Sequence, residues 1–301
     1  MSTTTAPTSV EKTEQDQATG STPHKPRRRG LGTSVVSHGI LIVASVIALF
    51  PVAWLVYLSL GPDSDDYLHP GGIWSKMTFD NYTFVLQHTK FFDWLQTTLI
   101  VTLGTTFIGV IMSATTGYAV SRMRFPGYKK FMWVLLVTQM FPVAVLMVPM
   151  YQILSDLQLV DSYLGLVLVY CTTTVPYCAW LMKGYFDTIP FEIDEAGRVD
   201  GLTPFGTFAR LILPLAKPGL AVAAFYSFLT AFGEVAFAST FMLSDDKYTF
   251  AVGLQTFVSE HDAQRNLMAA TAVLIAIPVA AFFYFVQKNL VTGLTAGGTK
   301  G

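Results

Sequence analysis

Few residues in this 301-residue sequence have the type and spacing that catalysis or metal binding requires. The five histidines are scattered, and no two of them share the helical spacing of metal ligands. Cys171 and Cys178 lie seven residues apart on one predicted helical face, but no third or fourth ligand is close in sequence. A buried packing role is therefore favoured for both. The sequence predicts neither catalytic residues nor a metal site.

Nucleotide and nucleic-acid chemistry are equally poorly supported. No segment matches G-x-x-x-x-G-K-[ST], the glycine-rich loop that cradles nucleotide phosphates. A net charge of −1 argues against binding nucleic acid by neutralising its phosphates. Any ATP that drives this protein must therefore be hydrolysed by another chain.

The composition indicates where the chain resides. Hydrophobic residues make up 52% of it and charged residues 13%, and that charged share is about half of what soluble domains carry. A soluble fold of this composition would expose large apolar areas to water. An all-α membrane protein is predicted, because in lipid only a helix satisfies its backbone polar groups within one segment.

Six stretches are long enough to cross a hydrocarbon core, which takes roughly 20 helical residues. Five carry no charge, and the sixth carries only Glu234. The windows are 30–62, 94–121, 131–155, 162–182, 218–244 and 266–287. Six transmembrane helices place both termini on the same side of the membrane.

The basic residues indicate which side holds the termini. Of the 19 lysines and arginines, all but Lys76, Lys90, Lys247 and Arg265 fall on the side of the N-terminus. Cytoplasmic loops are enriched in these residues, so both termini are predicted to be cytoplasmic. Residues 1–30 are rich in Thr, Ser, Pro and Gln and are expected to form a disordered tail with no cleavable signal.

Two outer segments and one carboxylate complete the predicted topology. Segment 63–93 is expected to be an interfacial loop with a short helix. Segment 245–265 starts at Asp245 and Asp246 and fits an external partner's contact surface as well as a folded-back surface helix. Glu234 is costly inside lipid. It fits a polar pathway or a hinge. It fits equally a carboxylate that is hydrogen-bonded to a neighbouring helix or that lies near the outer end of its span.

The segment 186–218, between the fourth and fifth spans, carries the clearest local signals. Pro190 suits the first turn of a short helix, and Gly201 suits the left-handed residue that ends it. Three carboxylates lie in the first turn, where the helix dipole favours negative charge. They are Glu192, Asp194 and Glu195.

A second short helix is predicted from Thr203 as its cap and Pro204 as its first residue. Two short helices at an angle would form a knob that projects from the membrane. Ala196 and Gly197 are small and would let its backbone press into a groove on another protein, with carboxylates around the rim. Taken alone, an ordered loop explains the segment equally well.

This segment resembles the EAA motif of ABC importer permeases, which reads E-A-A, three residues, G, nine residues, I-x-L-P. Here Glu195-Ala196-Gly197 precedes Gly201 at that spacing, and Leu211-Ile212-Leu213-Pro214 follows nine residues later. Gly197 replaces an Ala and Leu211 an Ile, so a small or aliphatic side chain is kept. Residues 31–301 resemble the permease family, and the six spans, Glu234-Val235 and the ending 290–301 most resemble the smaller permeases of maltose transporters.

The resemblance implies a type I ABC importer permease fold in a bacterial plasma membrane, with a core of about 93–288 and a C-terminal tail of 289–301 that reaches the ATPase or is simply frayed. It implies a second permease, a dimer of ATPase subunits that bind ATP and magnesium, and an extracytoplasmic solute-binding protein. The EAA loop would dock on the ATPase. Its coupling residues, carried over from the motif, are Glu195, Ala196, Gly197, Asp200, Gly201, Leu213 and Pro214.

The implied substrate is maltose, maltodextrin or another di- or oligosaccharide, and no residue is predicted to contact it. Two rival classes are less well supported. A secondary sugar carrier holds substrate and ion sites in one chain, usually with broken helices and an internal repeat. This sequence has one carboxylate within the predicted spans and no internal repeat. A membrane enzyme needs a catalytic constellation.

Overall fold

The computed structural model describes residues 31–61, 77–123, 125–258 and 264–298; the predicted tail 1–30 lies outside them. These described residues are almost entirely helical. The helices are α1 (Leu31–Ser59), α2 (Asp80–His88), α3 (Phe91–Tyr118), α4 (Tyr128–Thr138), α5 (Val143–Asp156), α6 (Tyr163–Phe186), α7 (Glu192–Val199), α8 (Pro204–Thr207), α9 (Leu213–Leu215), α10 (Lys217–Phe232), α11 (Ala236–Phe241), α12 (Phe250–Gly253) and α13 (Arg265–Gly298).

The predicted all-α membrane architecture is confirmed. Within the described ranges, four helices are long and apolar enough to cross a membrane, and the number rises to as many as six if each of two bent helix pairs counts as one span. The four are Val36–Ser59, Phe91–Met123, Tyr163–Phe186 and Arg265–Tyr284. The bent pairs are Tyr128–Thr138 with Val143–Asp156, and Pro204–Leu215 with Lys217–Phe232. The described residues divide into two units between Pro51 and Val52, and every contact described below lies within the second unit.

The third predicted span is not one straight helix. Helices α4 and α5 meet at an angle of 102°. Pro142 lies at the start of α5 with φ −59° and ψ 130°. Proline has no N–H for the helical ladder and disfavours a helical residue before it, so the sequence Phe141-Pro142 interrupts the helix.

The fifth span is also interrupted. Helix α10 ends at Phe232, and α11 begins at Ala236 after a short non-helical break. At the other end of the chain, the backbone of α13 stays helical as far as Gly298. The predicted tail 289–301 is thus largely a continuation of the last helix, although its role remains a prediction.

Helices α3, α6 and α10 pack against one another, and α13 packs against α10. Close contact between α3 and α6 depends on Gly117, where a Cβ would come within 2.9 Å of the Lys183 backbone nitrogen. At this end of the bundle, Tyr118 and Phe186 share one buried cluster with Phe208 and Ile212. The segment after α6 is therefore built into the ends of the spans.

The opposite end of the second unit is joined by buried amides. The Asn81 side chain in α2 donates to the carbonyl oxygens of Ser59 (2.9 Å) and Gly61 (2.7 Å). Asn266, at the start of α13, donates to Asn81 Oδ1 at 2.8 Å. Helix α2 is the short helix expected within the first outer loop, and it links the end of the first span to the start of the last.

Candidate functional site

The segment with the motif folds as a compact helical knob, residues 192–215. Its first helix, α7, has its three carboxylates in the first turn, as predicted. Gly201 follows the helix with φ +76°. Its N–H donates to Arg198 O at 3.0 Å, and the Leu202 N–H donates to Gly197 O at 2.8 Å. This pair of bonds is the Schellman motif, and it confirms the left-handed glycine.

The second half of the knob is capped as its sequence predicts. The Gly206 N–H donates to Thr203 Oγ1 at 3.1 Å, and Pro204 occupies the first turn of α8. A π-helical turn over Phe208–Ile212 continues the chain into α9. The C-terminal end of α7 and the N-terminal end of α8 thus have satisfied backbone groups, which defines the turn between the two short helices.

Gly197 brings the two helices of the knob together. A Cβ at this position would lie 2.7 Å from Thr207 Oγ1 and 3.0 Å from Thr207 Cγ2. Gly197 is buried against α8, whereas Ala196 is exposed. The expectation that both small residues press outward is therefore corrected for Gly197, whose missing side chain permits contact inside the knob.

The other predicted coupling residues also fall into an inward-facing group and a solvent-exposed group. Leu213 is half-buried against the cluster that holds the knob to the spans. The exposed members are Glu195, Ala196, Asp200, Gly201 and Pro214. Asp194, expected at the rim with the other carboxylates, is instead buried.

Two exposed apolar side chains on the knob were not predicted. Val199 is 87% exposed at the end of α7, and Phe205 is 73% exposed in α8. The signal in the sequence was an apolar residue in the last turn of an otherwise charged helix, and another directly after a Thr-Pro cap. We call Glu195, Ala196, Val199, Asp200 and Phe205 the knob surface. Apolar groups beside carboxylates suit a partner that offers an apolar cleft near basic residues.

Glu234 lies in the break between α10 and α11. Its carboxylate accepts hydrogen bonds from the backbone nitrogens of Phe237 (2.8 Å) and Ala238 (3.1 Å). It therefore caps the helix that follows it, which satisfies a costly charge inside the span. The non-helical residues beside it are what a hinge requires, and hinge motion remains a prediction.

Asp245 and Asp246 lie in a short turn at the outer end of the bundle. Asp245 Oδ1 accepts from Lys90 Nζ at 2.6 Å, and both side chains are exposed. The hydrogen bond from Lys90 lowers the pKa of Asp245. Asp246 is exposed as well. Of the two predicted contact residues, Asp245 thus already has an internal partner.

Asp161 holds the same turn in place. Its carboxylate accepts from the backbone nitrogens of Leu243 (2.9 Å) and Ser244 (3.1 Å), from Ser244 Oγ (2.6 Å) and from Lys247 Nζ (3.0 Å). Burial raises the pKa of Asp161, but these hydrogen bonds outweigh it and lower the pKa to about 2. The carboxylate is therefore charged, and the turn clamped, at any physiological pH.

A cavity of about 620 Å³ lies beside the bend between α4 and α5. Its lining is mainly apolar and includes Leu146, Met150 and Phe237. The polar side chains of the lining are Thr138, Gln139, Thr172 and Thr173. Because sugar hydroxyls need hydrogen-bond partners, this lining alone offers few contacts to a sugar.

The buried Cys171 and Cys178 are free thiols.

The sequence of this chain is similar to those of known transport proteins. Residues 106–295 match the family described as "Binding-protein-dependent transport system inner membrane component". The maltodextrin transport system permease protein MdxG of Bacillus subtilis (strain 168) is 37% identical over 89% of this chain and 96% of its own length. The maltose/maltodextrin permease protein MalG of Salmonella typhimurium is 33% identical over 92% and 99%.

A solved structure shares the fold. A chain of a bacterial ABC transporter that imports the acidic polysaccharide alginate superposes with a TM-score of 0.72 and 23% sequence identity. The match covers 89% of this chain and all of that one.

The contact between Gly197 and Thr207 predicts a loss of stability that a second substitution can restore. Gly197→Ala should lower the stability of the protein by about 1–3 kcal/mol, because the added methyl group overpacks against Thr207. Thr207→Ala removes both clashing atoms, so the double variant should regain most of that loss. The thermal unfolding midpoint in detergent measures both effects. Gly184→Ala, at a helical glycine with open space around it, is the control. A double variant as unstable as Gly197→Ala would contradict the assigned contact.

Proposed function

Since this chain belongs to the family of binding-protein-dependent transport system inner membrane components, we propose that it lines the membrane path of an importer for maltodextrin or a related oligosaccharide. It is a multi-pass ABC importer permease of the bacterial plasma membrane, which confirms the family that the EAA-type spacing predicted. It is a transport subunit rather than an enzyme. ATP hydrolysis is assigned here to a partner chain.

The knob is the observation that carries this proposal. The end of its first helix and the start of its second are capped, and its inner side joins the buried cluster at the ends of α3 and α6. Its outer side presents the knob surface, with Val199 and Phe205 exposed to solvent. A structured apolar projection of this kind supports docking on another protein, since aromatic side chains such as that of Phe205 are enriched at interfaces.

The proposed assembly contains this chain and three kinds of partner protein. A second, MalF-like permease would share the path, and a pair of MalK-like ATPase subunits would bind ATP and magnesium. A solute-binding protein would deliver the sugar from outside. The absence of a nucleotide loop from the sequence supports assigning ATP to the partner. This chain needs no cofactor of its own in that scheme.

The mechanism follows from the way in which the knob is attached. ATP would close the ATPase pair and draw the docked knobs together. Because Phe208 and Ile212 of the knob pack with Tyr118 and Phe186 of the spans, movement of the knob would carry α3 and α6 with it. The spans would then move between inward-facing and outward-facing states as packed bodies.

The proposed substrate class is inferred from the named relatives. The apolar cavity indicates how much of the sugar this chain could bind. Its lining supports a path whose polar sugar contacts come largely from the second permease. A secondary carrier is not favoured, because the relatives are permeases of ABC importers.

The substrate proposal is tested with the complete importer in liposomes. Maltodextrins should stimulate ATP hydrolysis in the presence of the binding protein more strongly than galacto-oligosaccharides, trehalose or an acidic oligosaccharide. ATP hydrolysis is the readout, with binding protein but no sugar as the baseline. Stronger stimulation by another sugar on the panel would reassign the substrate and leave the importer function intact.

The docking proposal is tested at Val199. Val199→Asp places a carboxylate where an apolar anchor is proposed, and with its side chain already exposed it should leave the permease stable. It should weaken binding of the ATPase at least tenfold, or about 1.4 kcal/mol, as measured by co-purification and by titration of the ATPase. Leu157→Asp, also exposed but outside the knob, is the control. Equal ATPase recovery from both variants would remove Val199 from the interface.

Contact with the binding protein is tested at Asp246, since reversing Asp245 would also break its ion pair with Lys90. Asp246→Lys should raise the concentration of binding protein that half-saturates ATP hydrolysis by roughly 3- to 10-fold at low salt. The effect should shrink at high salt, as expected of an exposed charge at the rim of an interface. Asp156→Lys, another exposed carboxylate, is the control. A salt-independent effect, or no effect, would argue against this contact.

A further inference from the structure

A buried ion pair joins the knob to the third helix. Asp194 of α7 lies with Oδ2 3.0 Å from Arg122 Nε, and the two side chains are 4% and 9% exposed. Tyr118 donates its hydroxyl proton to Asp194 Oδ1 at 2.9 Å. We call Tyr118, Arg122 and Asp194 the latch. None of the three belongs to the EAA pattern or to the knob surface.

The end of α3 is shaped for this contact. Tyr118 is the last residue of α3, and Arg122 follows within a π-helical turn over Ala119–Met123. Residues four apart around this turn thus both reach Asp194. Turns of this type inside helices are rare and are often found at functional positions.

Arg122 also contacts the segment that leads into the knob. Its Nη2 donates to the carbonyl oxygen of Ile189 at 2.8 Å. Its guanidinium lies 5.6 Å from the centre of the Phe191 ring. Beside it, Ser121 Oγ donates to Asp187 Oδ1 at 2.6 Å. The end of α3 therefore holds both the entry to α7 and its first turn.

We propose that the latch is the rigid joint through which motion of the knob reaches the third helix, with Arg122 and Asp194 acting as positioning residues for transport. This inference rests on the proposed docking of the knob. Apolar packing can slide, whereas hydrogen bonds fix direction as well as distance. Tyr118 donates such a bond to Asp194, and Arg122 donates one to the Ile189 carbonyl. The ion pair between Arg122 and Asp194 joins these two bonds by attraction of opposite charges. With the latch intact, a displacement of α7 cannot be absorbed at residues 187–191.

The location of the pair argues for a role beyond stability. A buried ion pair adds little to stability compared with apolar residues of the same size, because desolvation offsets the attraction of the charges. Removing only one charge is costly, since the other is left buried without a counterion. Removing both should therefore preserve assembly and remove the directional joint.

The experiment compares three variants in the complete importer in liposomes, reading complex yield and ATP hydrolysed per sugar imported. Arg122→Gln and Asp194→Asn alone should lower the yield of the complex. The double variant should assemble at wild-type yield yet hydrolyse at least three times more ATP per sugar. A wild-type ratio in the double variant would overturn the proposal, because the pair would then serve charge balance only.

Two conservative variants test the role of the latch if the double variant does not assemble. Arg122→Lys keeps the charge but cannot hold both Asp194 and the Ile189 carbonyl, and Tyr118→Phe removes one donor. Both should assemble with an intermediate ratio of ATP to sugar. Wild-type ratios in both would overturn the proposal. The paired control, Lys130→Gln with Asp156→Asn, removes one charge of each sign at exposed positions and should leave the ratio unchanged.

Failure of the underlying function is distinguishable from failure of the latch. If the wild-type permease recovers no ATPase, the proposed function is wrong, whatever the variants do. If the wild type assembles and couples, and the double variant couples as well, only the latch is wrong.

Discussion

The packing of the knob against the ends of α3 and α6 is the constraint on which the rest of the structure depends. Tyr118 and Phe186 from the spans share a buried cluster with Phe208 and Ile212 from the knob. Lipid on its own gives helices no apolar reason to associate, so close contact has to come from shape. Gly117 supplies that shape between α3 and α6. In the proposed mechanism, this junction carries movement of the knob into the spans.

Charge is scarce in the chain, and three carboxylates among the described residues that are partly or fully buried hold neighbouring structure in place. Glu234 caps the helix after a break in the fifth span. Asp161 clamps the outer turn that carries Asp245 and Asp246. Asp194 pairs with Arg122 at the knob. In each case a carboxylate holds backbone or a helix end in position, as is expected where an unpaired charge would be expensive.

Local signals in the sequence predicted local structure well. The charge-free windows mark the spans, the capping residue Thr203 marks the start of α8, and Gly201 marks the end of α7. These features depend on neighbours a few residues away. The window 131–155 does not predict the bend at Pro142, because hydropathy averages over the whole window whereas one proline interrupts the helix locally. Contacts between distant segments were not predictable: Arg122 and Asp194 look like ordinary surface charges until the fold brings them together, and the inward direction of Gly197 depends on where α8 lies.

The most direct test of the account measures whether the knob and α3 move as one body. Spin labels at the exposed positions Met123 and Arg210, in a cysteine-free variant of the reconstituted importer, report the distance between the end of α3 and the knob. A second pair of labels reports the separation of the knobs of the two permeases. On ATP binding, the knobs should approach each other while the distance from Met123 to Arg210 stays the same. A change in the Met123–Arg210 distance as large as that between the knobs would show that the knob moves independently of the spans, which would contradict the account.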